Sequence, residues 1–171
     1  GVDALLEGEL GDQHLERSVD GGDNWHQLSS DDGLPEGELG RIGLAISHSS
    51  PDVIYALTEA KKSVRLRSDD GGFTFRTVNK KSGIAPRPFY FCDIRVDPQD
   101  PNRVYNMHTV IDVSTDGGNS FAELVGWGAA HPDHHSMWID PTDPQRILIG
   151  NDGGVYTSRD RGATWRFCRN L

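Results

Sequence analysis

The chain has 171 residues, a length that fits one domain able to bury a sizeable core. It contains 20 glycines and 9 prolines, and 35% of its residues are hydrophobic, which is typical of a turn-rich all-β protein. A net charge of −9 argues against a partner with a phosphate backbone, and no apolar run is long enough for a membrane-spanning helix. Nucleic-acid-binding and membrane-spanning classes are therefore excluded.

An eight-residue pattern, Ser-x-Asp-x-Gly-x-(Thr/Ser/Asn)-aromatic, occurs four times along the chain. Its serines lie at positions 18, 68, 114 and 158, so successive copies are 50, 46 and 44 residues apart. A period in the range of roughly 20–50 residues indicates a repeat architecture. The residues that define the pattern are Ser18, Asp20, Gly22, Trp25, Ser68, Asp70, Gly72, Phe75, Ser114, Asp116, Gly118, Phe121, Ser158, Asp160, Gly162 and Trp165.

Each copy of this pattern predicts a β-hairpin turn between two strands. The glycine tolerates a positive φ, and the aspartate can accept hydrogen bonds from the amides of its own turn. The aromatic side chain can fold back onto the apolar interior and hold the turn in place. The four motifs are therefore interpreted as structural.

Apolar runs between the motifs predict strands, taken here in chain order. Residues 1–28 form an incomplete unit that lacks its innermost strand, with strands predicted at 4–7, 14–17 and 25–28. Complete four-stranded units follow at 29–79, 80–125 and 126–171. Their predicted strands are 41–46, 53–58, 64–67 and 75–78, then 90–96, 103–108, 111–113 and 121–124, then 137–139, 146–149, 155–157 and 165–168.

A second repeated marker separates the first two strands of these units. The pattern Asp-Pro-x-Asp-Pro occurs at 97–101 and 140–144, with a degenerate copy around Pro51. Proline cannot donate to a strand ladder, so it ends the first strand and sets a tight turn.

Four antiparallel strands in a unit of this length describe one blade of a β-propeller. The predicted fold is therefore an all-β propeller segment, about half of a larger ring. Two alternatives stay open at this point: two such chains close one ring together, or the units form a small open array.

The repeated motif resembles the Asp-box (BNR repeat) of sialidases, xyloglucan-cleaving endoglucanases, sortilin-type receptors and photosystem-assembly propellers. The runs 87–90, 134–141 and 150–156 and the Asp-Pro turns look most like large bacterial secreted, sortilin-related propellers that are often labelled glycosyl hydrolases. The resemblance implies that the Asp-box turns are scaffold and that ligands bind on the opposite face, here called the top face. It also implies an extracellular or periplasmic location, although no signal peptide is visible and the chain opens as if within a longer protein.

Histidines are concentrated in one predicted top-face segment, directly before an innermost strand. His131, His134 and His135 lie within five residues together with Asp133. Imidazoles and a carboxylate suit zinc or another transition metal, or acid–base catalysis. The alternative is that the histidines donate to backbone carbonyls and hold the loop.

Carboxylates provide a second candidate site, because glycosidases need two of them. Glu59 ends a second strand and Asp152 occupies a comparable loop two units later. Thr58-Glu59 loosely resembles the catalytic Thr-Asp segment of the xyloglucan-cleaving family, whose other aspartate is replaced here by Ser136. The alternative is that Glu59 is a solvated loop charge. A sialidase-like site would instead use Arg41, Arg87 and Tyr90, but the spacing of that family is not reproduced.

Aromatic residues form the third feature, since sugar faces stack on such rings. Phe89, Tyr90, Trp127 and Trp138 lie near predicted inner-strand entrances, where they bind a ligand or fill the blade core. The complete predicted ligand-binding set is Arg41, Arg87, Phe89, Tyr90, Trp127, His131, Asp133, His134, His135 and Asn151. Cys92 and Cys168 fall on strands of different units and are predicted to be free, buried thiols rather than a disulfide.

Function follows from the resemblance rather than from composition. It implies a secreted propeller module that binds a glycan or a peptide on its top face, next to the remaining blades of a longer chain or a second copy of itself. The first alternative is a glycoside hydrolase that uses Glu59 and Asp152. The second is a structural or assembly subunit of a larger complex. No cofactor is expected apart from a divalent metal at the histidine segment.

Overall fold

A computed structural model describes the backbone of residues 4–7 and all atoms of residues 13–81 and 92–169. The described residues contain fifteen β-strands and a single short 3₁₀ helix at Ser30–Asp32. The strands are β1 (Ala4–Glu7), β2 (Leu15–Ser18), β3 (His26–Gln27), β4 (Ile42–Ile46), β5 (Ile54–Thr58), β6 (Val64–Ser68), β7 (Arg76–Asn79), β8 (Asp93–Asp97), β9 (Asp100–Met107), β10 (Ile111–Ser114), β11 (Ala122–Val125), β12 (His134–Ile139), β13 (Ile147–Asn151), β14 (Gly154–Ser158) and β15 (Arg166–Phe167).

The strands form four antiparallel sheets in which neighbours in sequence are neighbours in space. Sheet 1 is β1-β2-β3, sheet 2 is β4-β5-β6-β7, sheet 3 is β8-β9-β10-β11 and sheet 4 is β12-β13-β14-β15. This confirms the predicted all-β class; three of the sheets have four strands and the first has three.

Burial along the strands shows which sheet faces are covered. Every residue of β5 is buried because sheet 1 packs on one side of sheet 2 and sheet 3 on the other. Strand β13 instead alternates between buried and exposed residues over its first three positions, because only the side facing sheet 3 is covered. A strand covered on both faces reads as a continuous apolar run, and one covered on a single face alternates.

Three apolar clusters fill the spaces between successive sheets. Leu15, Ile42 and Leu66 belong to the cluster between sheets 1 and 2. The next two clusters are centred on Tyr55 with Ile94, and on Tyr105 with Ile149. Each therefore joins residues of two sheets, so the core is divided among the sheet junctions.

The four Ser-x-Asp-x-Gly motifs, which we continue to call Asp-box turns after the family they resemble, connect the last two strands of each sheet. In the third copy the Ser114 hydroxyl donates to Asp116 at 2.8 Å, and the amide and hydroxyl of Ser120 donate to the same carboxylate at 2.9 and 2.5 Å. These bonds, led by the Ser120 hydroxyl, lower the pKa of Asp116 to about 2. Gly117 and Gly118 have φ values of 72° and 86°, which side chains rarely adopt.

Three expectations need correction. Strand β9 begins at Asp100 rather than at residue 103, because Asp100 already pairs with Asp97 of β8. Strand β12 begins at His134 rather than at residue 137, because the His134 amide donates to the His108 carbonyl of sheet 3 and the strand pairs with Asn151. Of the two free thiols, Cys92 is buried but Cys168 is only half-buried, since it follows β15 at the open side of sheet 4. No helix among the described residues is long and apolar enough to cross a membrane.

Candidate functional site

The top ends of sheets 3 and 4 are joined by backbone hydrogen bonds. The amides of Asp133 and His134 donate to the carbonyls of Thr109 and His108 at 3.1 and 3.0 Å. These atoms lie at the strand ends opposite the Asp-box turns, where β9 turns into β10 and where β12 begins. The predicted histidine segment is thus part of a junction between two sheets, and we call this region the histidine junction.

His134 lies in the interior of this junction. Only 1% of the residue is exposed, and its Nδ1 has no hydrogen-bond partner in the described part of the chain. Burial, reinforced by the neighbouring His108, lowers the pKa of His134 to about 4. The imidazole is therefore neutral at pH 7, and its depth suits packing between strands better than contact with a ligand.

Sequence reasoning missed a second histidine in the same junction. His108 is buried, and its Nε2 lies 3.0 Å from Oδ2 of the half-buried Asp112. The two residues face each other across the short turn between β9 and β10, where the His108 amide donates to the Val110 carbonyl. The sequence signal that could have revealed this pair is a histidine just before a short turn and a carboxylate just after it.

Asp133 has an unusual backbone in this region. Its φ is 62°, in the left-handed region that few residues other than glycine adopt, and its buried Oδ1 has no hydrogen-bond partner within residues 13–81 and 92–169. The two hydrogen bonds to sheet 3 hold the chain in this conformation. Such local strain is common at functional sites.

The exposed part of the top face is built around β13, β14 and the turn between them. Nε2 of His135 lies 2.9 Å from Oδ1 of Asp152, and both side chains are accessible. The side-chain amide of Asn151 donates to the His131 carbonyl at 2.7 Å. The backbone amide of His131 donates to the Tyr156 hydroxyl at 3.2 Å. Asp152 is therefore paired with a histidine, and Asn151 positions the loop that carries another.

The predicted metal ligands do not converge. His134 points into the core, His135 pairs with Asp152 at the surface, and Nδ1 of His131 contacts the Pro132 carbonyl at 3.1 Å. Within the described ranges, no group of three histidine, cysteine or acidic side chains is arranged to hold a metal ion. Each of these histidines instead makes its own local contact.

Glu59 has a structural role in sheet 2. Its Oε2 accepts a hydrogen bond from the Arg41 amide at 3.1 Å; the Glu59 carbonyl accepts from the Gly40 amide and the Glu59 amide donates to the Arg41 carbonyl. Its carboxylate occupies the space where a side chain at Gly40 would stand. Sheet 3 lies between this residue and Asp152, so the two predicted catalytic carboxylates belong to sheets that are not neighbours.

The aromatic candidates differ in exposure. Trp127, in the link between β11 and β12, is 70% exposed and follows Gly126, whose carbonyl accepts from the Ala129 amide in a turn. Trp138 is 48% exposed on the side of sheet 4 that faces away from sheet 3, so it does not fill a blade core. The predicted site residues Arg87, Phe89 and Tyr90 lie outside the described residues.

Comparison with known proteins gives a fold. No family model and no curated protein sequence matches the chain. Among solved structures, a GH74 xyloglucanase from Xanthomonas campestris matches 99% of this chain and 30% of its own, with a TM-score of 0.71 and 18% identity. YCF48 from Cyanidioschyzon merolae matches 95% of this chain and 51% of its own, with a TM-score of 0.60 and 17% identity.

A further match is YCF48 bound to the D1 peptide, over 95% of this chain and 63% of that one, with a TM-score of 0.52 and 15% identity. The chain thus spans less than two thirds of each of these proteins. Together with the four consecutive antiparallel sheets, these matches show that the chain has the fold of a β-propeller segment.

Proposed function

We propose that this chain is the ligand-binding segment of a β-propeller and that it binds a glycan on its top face. The observation that carries this proposal is Trp127, whose indole is 70% exposed in the link between sheets 3 and 4. An exposed aromatic ring of this size offers a flat apolar face on which a sugar ring can stack. In this proposal the module works outside the cell or in the periplasm, beside the other blades of its ring or a second copy.

Side chains at the same end of sheet 4 would supply the polar half of such a site. His135 and Asp152 form an accessible hydrogen-bonded pair at 2.9 Å, and Asn151 fixes the loop that carries His131. Planar amide, carboxylate and imidazole groups each match the paired hydroxyls of a sugar, and a few fixed polar groups beside an apolar surface are what ligand sites usually contain.

Glycan binding is tested on an array of plant and bacterial polysaccharides, followed by calorimetric titration of any hit. Trp127→Ala should weaken binding about tenfold, since an aromatic contact contributes up to about 1.5 kcal/mol beyond its buried area. Phe73→Ala, which removes a partly exposed ring from an Asp-box turn, is the matched control and should bind normally. Equal binding by both variants would refute the site, and binding to peptides alone would favour the peptide alternative that the YCF48–D1 structure suggests.

Glycoside hydrolysis is the second candidate, because a GH74 xyloglucanase shares the fold. It is less favoured, since the carboxylate of Glu59 is engaged by a backbone amide and Asp152 pairs with His135. If xyloglucan is cleaved, release of reducing ends should disappear in Glu59→Gln or Asp152→Asn. Cleavage that persists in both variants would remove these residues from the reaction.

A further inference from the structure

A separate cleft lies at the far end of the molecule, beside sheet 1. It has a volume of about 340 Å³ and opens where β2 begins and β3 ends, at the end of the sheet opposite its Asp-box turn. The link between sheets 1 and 2 forms one wall. The buried side chain of Leu34 and the half-buried side chains of Pro35 and Leu39 give the cleft an apolar floor.

The link is held in place at both of its ends. At the first end, the Ser29 hydroxyl and amide bond to the Asp32 carboxylate, and the Asp32 carbonyl accepts from the Phe75 amide at 2.7 Å. Gly33 has a φ of 95° and lies so close to the Phe75 carbonyl that no side chain would fit. At the other end, the Gly40 amide donates to the Glu59 carbonyl at 2.9 Å. The cleft is therefore formed before any ligand arrives.

The rim of the cleft is acidic. Glu36 and Glu38 are exposed, flank Gly37, and make no hydrogen bond or ion pair with any residue that the structure describes. The link from 29 to 40 contains four carboxylates and no lysine or arginine. Gln27 and Ser30 line the walls as neutral groups that can donate and accept hydrogen bonds.

We propose that this cleft binds a lysine or arginine side chain of an extended peptide. The aliphatic stem of such a residue packs on the apolar floor, while its cationic head reaches the exposed carboxylates of Glu36 and Glu38. Gln27 and Ser30 are placed to bond the peptide backbone on either side. The cleft discriminates against other ligands in two ways. Its acidic rim repels an anion, and a purely apolar group would leave both carboxylates without a cationic partner.

The experiment is an NMR titration of the whole 171-residue chain with capped pentapeptides of alanine that carry one central residue. Arginine and lysine peptides should shift the amide signals of residues 27–39. Citrulline, which keeps the shape of arginine without its charge, should bind about three- to tenfold more weakly, as expected for the loss of two exposed charge pairs. Glu36→Gln combined with Glu38→Gln should weaken arginine binding by a similar factor.

Asp23→Asn combined with Asp52→Asn is the matched control, because it removes two exposed carboxylates at the Asp-box end of the molecule and changes the net charge equally. This variant should bind the arginine peptide normally. Equal affinity for arginine and citrulline, or equal loss in both double variants, would overturn the proposal. Trp127→Ala should leave peptide binding here unchanged, so that failure of the glycan site and failure of this cleft are told apart.

Discussion

Arg65 is an exception among the equivalent positions of the four repeats. It is 1% exposed, and none of its three side-chain nitrogens has a hydrogen-bond partner among the residues that the structure describes. Counted back from the Asp-box serine, the other repeats carry Leu15, Ile111 and Val155 at this position. Burial lowers the pKa of Arg65 to about 10, so the guanidinium stays charged at pH 7, and it lies 3.9 Å from the centre of the Phe121 ring.

Arg65→Met should therefore stabilise the protein by about 1–3 kcal/mol, because an unpaired buried charge costs more than a cation–π contact returns. The measurement is the urea midpoint at pH 7. Arg67→Met is the control, since Arg67 donates to Tyr55 and Asn102 at 2.7 Å each and its loss should destabilise. A lower midpoint for Arg65→Met would show that the guanidinium is satisfied in solution.

His134 makes stability depend on pH. Its pKa is about 4 in the folded protein against 6.5 in the unfolded chain, so the unfolded state binds more protons between these values. Stability should fall as pH falls from about 6.5 to 4, by up to about 3 kcal/mol. The lowered pKa of Asp116, about 2, acts mainly below this window.

This pH dependence is checked by urea unfolding of the wild type and of His134→Gln at several pH values from 7 to 4. The glutamine variant should lose most of the slope in that range. His135→Gln is the control, because His135 lies at the surface. Equal slopes in the wild type and His134→Gln would mean that the imidazole is hydrated.

Among the structural elements, the Asp-box turns show best how one motif organises a sheet. In Asp116→Ala, the amide and hydroxyl of Ser120 lose their acceptor. Each such bond to a charged group contributes about 1.5–3 kcal/mol when buried and less at the surface, so a loss of about 1–2 kcal/mol is expected. Thermal unfolding measures it, and Asp23→Ala, at a variable position of the first motif, should cost little. Equal losses would contradict the role of the motif aspartate.

Strand positions could be predicted because turn chemistry is local. The Asp-box and Asp-Pro patterns mark the strand ends, and most predicted strands therefore lie close to the observed ones. Strand β9 is an exception, because it begins at Asp100, inside the Asp-Pro pattern, rather than at residue 103. The start of β12 and the His108–Asp112 pair could not be found in this way. Both depend on contacts across a turn or between sheets, such as the bond from the His134 amide to the His108 carbonyl, which no pattern within one unit contains.

At the scale of the whole molecule, the uncovered side of sheet 4 is the surface most suited to self-association. Trp138 pairs with Leu148 on this side, and both are substantially exposed. The residues equivalent to Leu148 on sheets 2 and 3 are Tyr55 and Tyr105, and both are fully buried. Tyr55 packs against sheet 3 and Tyr105 packs against sheet 4. An exposed apolar sheet face of this kind favours association.

We expect the isolated 171-residue chain to self-associate through this face. Trp138→Ser combined with Leu148→Ser should shift the molecular mass from light scattering toward that of a monomer, 18.8 kDa, because the association has lost its apolar surface. Val19→Ser combined with Phe73→Ser removes exposed apolar groups from two Asp-box turns and should leave the mass unchanged. A wild-type chain that is monomeric at high concentration would show that this face tolerates water, and the sheet would then be stable with one side uncovered.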